Sequence, residues 1–221
     1  MEPTLSPNEV RVLACLIEKS LSTPEYYPLT LNALTAACNQ KSNRDPMMQL
    51  SDQDIVRALD SLRDRRLAWA VTLAGSRTPK YRHHMEDVYP LTLPQLAILC
   101  ELMLRGSQTV GELRTHAGRL CNLADIGEVA DILQQLMTWP GMSLATVATR
   151  RLGQREDRYT HLLGGVISVE AESVLTTVEP ARLKVMDENE RIGMLEMRVA
   201  ALEDELACLK AQFSDFAGQF K

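Results

Sequence analysis

Two short stretches of the chain carry chemically capable side chains at matching spacing. Gly75-Ser-Arg77-Thr-Pro-Lys80-Tyr81-Arg82-His83 and Gly153-Gln-Arg155-Glu-Asp-Arg158-Tyr159-Thr-His161 place Gly, Arg, a basic residue, Tyr and His in the same order, 78 residues apart. A Tyr and a His two positions apart lie on one face of an extended strand. There they could hold a metal or pack. A metal needs further ligands at suitable spacing, and none stand nearby. Packing over a helical layer accounts best for the two Tyr–His pairs. The cations are a separate matter. At the tip of a hairpin, Arg and Lys can meet backbone phosphates without reading sequence, or they can keep a short sheet edge soluble and unpaired. Both readings stay open at this point.

A third constellation is Asn39-Gln-Lys41-Ser-Asn43-Arg44-Asp-Pro46, dense in hydrogen-bonding side chains and almost free of apolar ones. It reads either as a solvated loop between helices or as a phosphate or partner contact made by Lys41, Asn43 and Arg44. Asp52 and Asp54 form a carboxylate pair, but Ser51 precedes them, and a helix start makes capping their expected role. The chain has no Gly-rich phosphate loop, nucleophile elbow, paired HExxH histidines or converging catalytic carboxylates. The expectation is a protein that is not an enzyme and takes no cofactor and no metal. Cys15, Cys38, Cys100, Cys121 and Cys208 are odd in number, widely spaced and in no zinc-binding pattern. Buried thiols in a reducing cytoplasm fit this usage.

The elements that position these residues repeat as well. Ser6-Pro7-Asn8-Glu9 opens a helix with N-cap, N1 proline and capping-box glutamate, and Val10, Leu13, Cys15, Leu16 and Ile17 give it an apolar face. Thr30 caps a second helix carrying Leu31, Leu34, Ala37 and Cys38. Ser51 caps a third, running to about Arg65, with Ile55, Val56, Leu59 and Leu62 as its core side. Leu67 to Leu73 and Lys80 to His84 then form the two strands of a hairpin. The same order returns: Leu91, Leu96, Ile98, Leu99 and Leu102 match Leu5, Val10, Val12, Leu13 and Leu16 at an offset of 86. Thr109 and Leu113 match Thr30 and Leu34 at 79, and Val129, Ile132, Leu133 and Leu136 match Ile55, Ala58, Leu59 and Leu62 at 74. Offsets that drift only at loops mark a true internal repeat. Three helices followed by a basic-tipped hairpin is the order of a winged helix. The predicted fold is mainly α with small β-hairpins: two tandem winged helix-turn-helix domains, residues 1–88 and 89–165, then a linker over 166–185 and a coiled-coil helix over 186–221.

Charge is divided along the chain. The net −5 lies in residues 170–221, which hold 11 acidic and 6 basic residues, so the body is neutral. From Arg57 to Arg82, however, seven basic residues stand against two acids. The third helices, which would read base edges in a helix-turn-helix, carry Asp52, Asp54, Asp60 and Asp64 in the first copy and Asp125, Glu128 and Asp131 in the second. Those carboxylates oppose major-groove reading. In the tail, Ile192, Leu195, Val199, Leu202, Leu206, Leu209, Phe213, Phe216 and Phe220 recur at spacings of three and four, an a/d seam. The g-to-e pairs Arg191–Glu196, Arg198–Glu203 and Glu205–Lys210 are all opposite in sign, as a parallel homodimer requires. The alternative is an amphipathic helix folded back on its own body.

Residues 5–165 resemble the YceH-like family of bacterial proteins. The likeness rests on Leu5-Ser-Pro-Asn-Glu-Val10, on Ala37-Cys-Asn-Gln-Lys-Ser-Asn-Arg-Asp-Pro46, and on Gly153-Gln-Arg-Glu-Asp-Arg-Tyr-Thr-His-Leu-Leu163. The resemblance implies a tandem winged helix and supplies neither an activity nor a site. The tandem arrangement is similar, at the level of fold alone, to that of ScpB-like chromosome-partition proteins. Two functional expectations follow. The first is a cytoplasmic, non-enzymatic protein associated with double-stranded DNA, a transcriptional regulator, with phosphate contacts from Lys41, Asn43, Arg44, Arg57, Arg77, Lys80, Arg82, Arg155 and Arg158. It would dimerise through Ile192, Leu195, Val199, Leu202, Leu206, Leu209 and Phe213. The second is a protein-interaction scaffold that binds no DNA. No stretch is apolar enough to suggest a membrane span.

Overall fold

The computed structural model describes residues 4–72, 78–149 and 156–165. Helix α1 (Pro7–Ser22) is the centre of this body. Its start follows from sequence: Ser6 and Glu9 form a reciprocal capping box, and Pro7 occupies the first turn. Every residue from Glu9 to Glu18 is buried, the polar ones included. A helix buried all round must be covered on every side. Around α1 stand α2 (Leu31–Cys38), α3 (Asp52–Asp64), strand β3 (Lys80–His83) and α5 (Leu93–Arg105).

The order of elements is written twice. In the first half, α1 is followed by a 3-10 turn at Pro24–Tyr26, strand β1 (Leu29–Thr30), α2, α3, strand β2 (Ala68–Val71) and β3. The short helix α4 (Met85–Val88) leads into the second half. There α5 is followed by α6 (Val110–Ala117), α7 (Ile126–Met137) and strands β4 (Ala145–Val147) and β5 (Tyr159–His161). The first sheet has the order β1-β3-β2, antiparallel throughout, with Leu29 opposite Tyr81. In the second half a single bridge between Gln108 and Tyr159 stands where β1 pairs β3 in the first. Mainly helical architecture with small antiparallel sheets is what the sequence led us to expect.

The caps expected at Ser6, Thr30 and Ser51 are all present, and Thr109 and Asp125 cap the matching helices of the second half. One core assignment is corrected. Val56 is 38% exposed, whereas Ala58 joins Ile55, Leu59 and Leu62 in the core. Positions 55, 58, 59 and 62 complete one helical stripe, and 56 falls outside it. The sequence also hid β1, since two residues carry no detectable period.

The described parts of both halves lie within one compact unit. Helices α1 and α5 pack on each other, and the Cys100 thiol donates to the Ala14 carbonyl at 3.3 Å. The Leu5 N–H donates to the Leu163 carbonyl at 2.8 Å, tying the start of the first half to the end of the second. The predicted linker and coiled coil lie outside the described residues. Among those residues, no helix is long and apolar enough to cross a membrane.

Candidate nucleic-acid interface

The first hairpin sets two faces by its register. Ala68 pairs with His83, Trp69 with Arg82, Ala70 with Tyr81 and Val71 with Lys80. Strand alternation puts Tyr81 and His83 on the side covered by α1 and leaves Lys80, Arg82 and Trp69 on the other. His83 is buried. Its Nε2 lies 3.0 Å from Ser20 Oγ, and its backbone N–H donates to the Tyr27 hydroxyl at 2.6 Å. Burial lowers the His83 pKa even with Glu86 at 3.3 Å, and burial raises that of Tyr27. In the second hairpin, Tyr159 exchanges both backbone hydrogen bonds with Gln108, and His161 is buried. Desolvation pushes His161 down to about 4. Tyr81 and Tyr159 both pack on the core. The two Tyr–His pairs are therefore structural, and among the described residues no group of three or more His, Cys, Asp or Glu could hold a metal ion.

The basic residues divide into three groups. Lys41 and Arg57 are exposed, Lys80 is half-buried, and Arg57 lines an open groove with Ser6, Asn8, Ser61 and Arg65. Arg82 and Arg158 are partly exposed but engaged. Arg82 sits 3.6 Å from Glu86. Arg158 donates to the Ser107 carbonyl at 2.9 Å and to Glu112 at 2.7 Å. Arg77 and Arg155 lie outside the described residues, as do Ile192, Leu195, Val199, Leu202, Leu206, Leu209 and Phe213.

Asn43 and Arg44 form the third group, both engaged in contacts within the protein, and burial takes Arg44 away from any phosphate. The Arg44 side chain is fully buried. It grips the Glu18 carboxylate with both terminal nitrogens, at 3.1 and 2.6 Å, and donates to the carbonyl of Ala37 and to Gln40. Desolvation works against the guanidinium charge, but the Glu18 and Cys15 side chains together outweigh it and raise the Arg44 pKa. Asn43 turns its amide oxygen to Arg105 Nη2 at 2.6 Å. Its φ of 60° is a left-handed conformation that Asn tolerates. The 39–46 segment is thus a clamp between the halves: the Asp45 N–H donates to the Leu104 carbonyl, and Arg11 reaches the carbonyls of Pro46 and Cys38.

Sequence reasoning missed the far side of this clamp. Glu101 is buried between Arg105, at 2.9 Å, and Arg119, at 3.7 Å, yet desolvation keeps its pKa above the ordinary carboxylate value. Arg105 also approaches His116 Nε2, whose Nδ1 lies 2.6 Å from Gln108 Oε1. Gln108 in turn donates to the Glu101 carbonyl. The available signal was Arg11 and Glu18 inside a helix with apolar residues on every side. Such charges need internal partners, and Arg44 is one of them.

Comparison with known proteins places the chain. A family model described as "Protein of unknown function, DUF480" matches residues 5–154. A UPF0502 protein of Geobacter metallireducens is 51% identical over 221 residues, covering 100% of both chains. A UPF0502 protein of Pelobacter propionicus is 46% identical over 221 residues, again across the whole of both. One from Vibrio atlanticus is 43% identical over 215 residues, covering 96% of this chain and 97% of its own. The YceH-like resemblance agrees with this grouping, and the chain belongs to the DUF480, or UPF0502, family of uncharacterised bacterial proteins.

Proposed function

We propose that the chain is a non-enzymatic, DNA-associated protein built from two tandem winged helices. The observation that carries this reading is the repeated order of three helices closed by an antiparallel hairpin, whose return strand opens on Lys80 in one copy and beside Arg158 in the other. The hairpins contact phosphates and the third helices do not read bases. Helix α3 presents Asp52, Asp60 and Asp64 to solvent, and α7 contains no Lys or Arg. Acidic side chains at a helix start suit the helix dipole but repel phosphate. The contact set is Lys41, Arg57, Arg77, Lys80, Arg82 and Arg155, with Arg158 joining when it exchanges Glu112 for phosphate. The heptad seam from Ile192 to Phe213 makes the protein a parallel dimer, and removal of residues 190–221 converts dimer to monomer in light scattering.

Anisotropy titration of a labelled duplex across salt concentrations tests the reading. Affinity falls steeply with salt, because phosphate contacts release counterions, and Ala at Arg77, Lys80, Arg82 and Arg155 together weakens binding at all sequences. No binding at low salt, or binding indifferent to those changes, refutes it. A protein-interaction scaffold is the second reading, supported by the absence of cations on α7 and by Ile126, which is 56% exposed at its first turn. Under that reading, DNA is not retained and Ile126→Glu abolishes complex formation with the partner.

A further inference from the structure

The outer face of the first hairpin differs from its copy in one way that matters for binding. Trp69 stands on that face 40% exposed, directly opposite Arg82 and beside Lys80 in the register. Lys80 and Arg82 are two residues apart on one strand, about 7 Å, so two cations run alongside one aromatic ring. The Arg82 side chain is 43% exposed, and its ion pair with the half-exposed Glu86, at 3.6 Å, is of the weak surface kind that a phosphate can displace. The His84 ring stands perpendicular to the indole, 83° at a centroid distance of 6.2 Å, and braces it. In the second hairpin the matching register sets Thr146 against Thr160. Thr160 is buried, and Arg158 is held by Ser107 and Glu112. Among the described residues, the second hairpin has no aromatic ring at the position matching Trp69 and no pair of cations beside it.

We propose that this face is a platform for single-stranded nucleic acid: an unpaired base stacks on Trp69 while Lys80 and Arg82 hold the flanking phosphates. Every base has a π-face, so a ring flanked by cations binds single strands with little sequence preference. A duplex keeps its base faces inside the stack and can offer the same surface only its phosphates. The inference rests on the nucleic-acid reading above and specifies the form of the strand.

The test uses the full chain and a fluorescein-labelled oligothymidylate of roughly 20 nucleotides, enough to cover a site of the usual size. Trp69→Ala weakens binding by about tenfold or more, and Trp69→Phe, which keeps a ring, stays within a few-fold of the parent. With Trp139→Phe as background, Trp69 is the only tryptophan, and its emission is quenched as the oligonucleotide binds. Unchanged affinity in Trp69→Ala together with unquenched emission overturns the platform; if Lys80→Ala/Arg82→Ala still weakens binding, the phosphate reading survives. A preference for the duplex with Trp69 emission unmoved also overturns it, as does displacement by polyglutamate as effective as by oligonucleotide, which marks an acidic-peptide surface. Failure to bind either nucleic acid at low salt overturns the platform and the parent reading together.

Discussion

Arg44 shows how much a single guanidinium can be asked to hold. It joins α1, through Glu18, to the end of α2, through the Ala37 carbonyl. Arg44→Ala would strip the Glu18 carboxylate of its two-pronged hydrogen-bonded partner and leave it only Lys19, at 3.7 Å. The expected cost is roughly 3–5 kcal/mol, read as a fall in the urea midpoint. Lys does not rescue it, because one ammonium cannot reproduce the two-pronged grip on a carboxylate. Lys41→Ala, three residues away and exposed, changes stability by no more than about 0.5 kcal/mol. His161 makes a different prediction. Its native pKa, about 4, lies below the ordinary 6.5. As pH falls from 6.5 towards 4, the unfolded chain takes up a proton that the native chain refuses, and stability drops. The full loss is about 3 kcal/mol. His161→Phe flattens that part of the stability–pH profile, and a profile unchanged by the substitution contradicts the assignment. His83 contributes in the same direction.

Among the elements, the end of α3 carries its own strain. Arg66 has a φ of 63°, and the Leu67 N–H closes back on the Leu62 carbonyl at 2.8 Å. That is the left-handed helix stop at which Gly is usual. Arg66→Gly stabilises the protein by about 1 kcal/mol, a rise of roughly 2–4 °C in Tm for a chain of this size. Helices were the legible part of the sequence. Their caps, Ser6, Thr30, Ser51, Thr109 and Asp125, are local chemistry that needs no tertiary knowledge, and α3 ends at Asp64, one residue short of the position read from its apolar stripe. What escaped were pairings fixed by distant residues. Strand β1 exists only because Leu29 meets Tyr81, and Gln108 gains its place from Tyr159. Arg44 looked like a surface cation because its neighbours in sequence are polar. Its partner, Glu18, is 26 residues away on a helix whose polar residues are also buried.

At the scale of the whole molecule, duplication did not leave two independent beads. The first helix of each copy is buried against the other, so each half supplies the covering layer for its counterpart. The bonds that cross between halves come from well-separated points: Leu5 to Leu163, Asp45 to Leu104, Asn43 to Arg105, and Cys100 to Ala14. An isolated first half would expose the side of α1 that meets α5, and would leave Asn43 and the Asp45 N–H without their partners. Small domains stripped of part of their core are marginal. Fragments 1–88 and 89–165, made separately, therefore give no sigmoidal thermal transition by circular dichroism, while 1–165 unfolds in a single one. Mixing the two fragments restores helical signal. An isolated 1–88 that melts cooperatively would show that the α1–α5 seam is an ordinary domain interface, and the clamp at 39–46 would then secure two finished domains instead of completing one core.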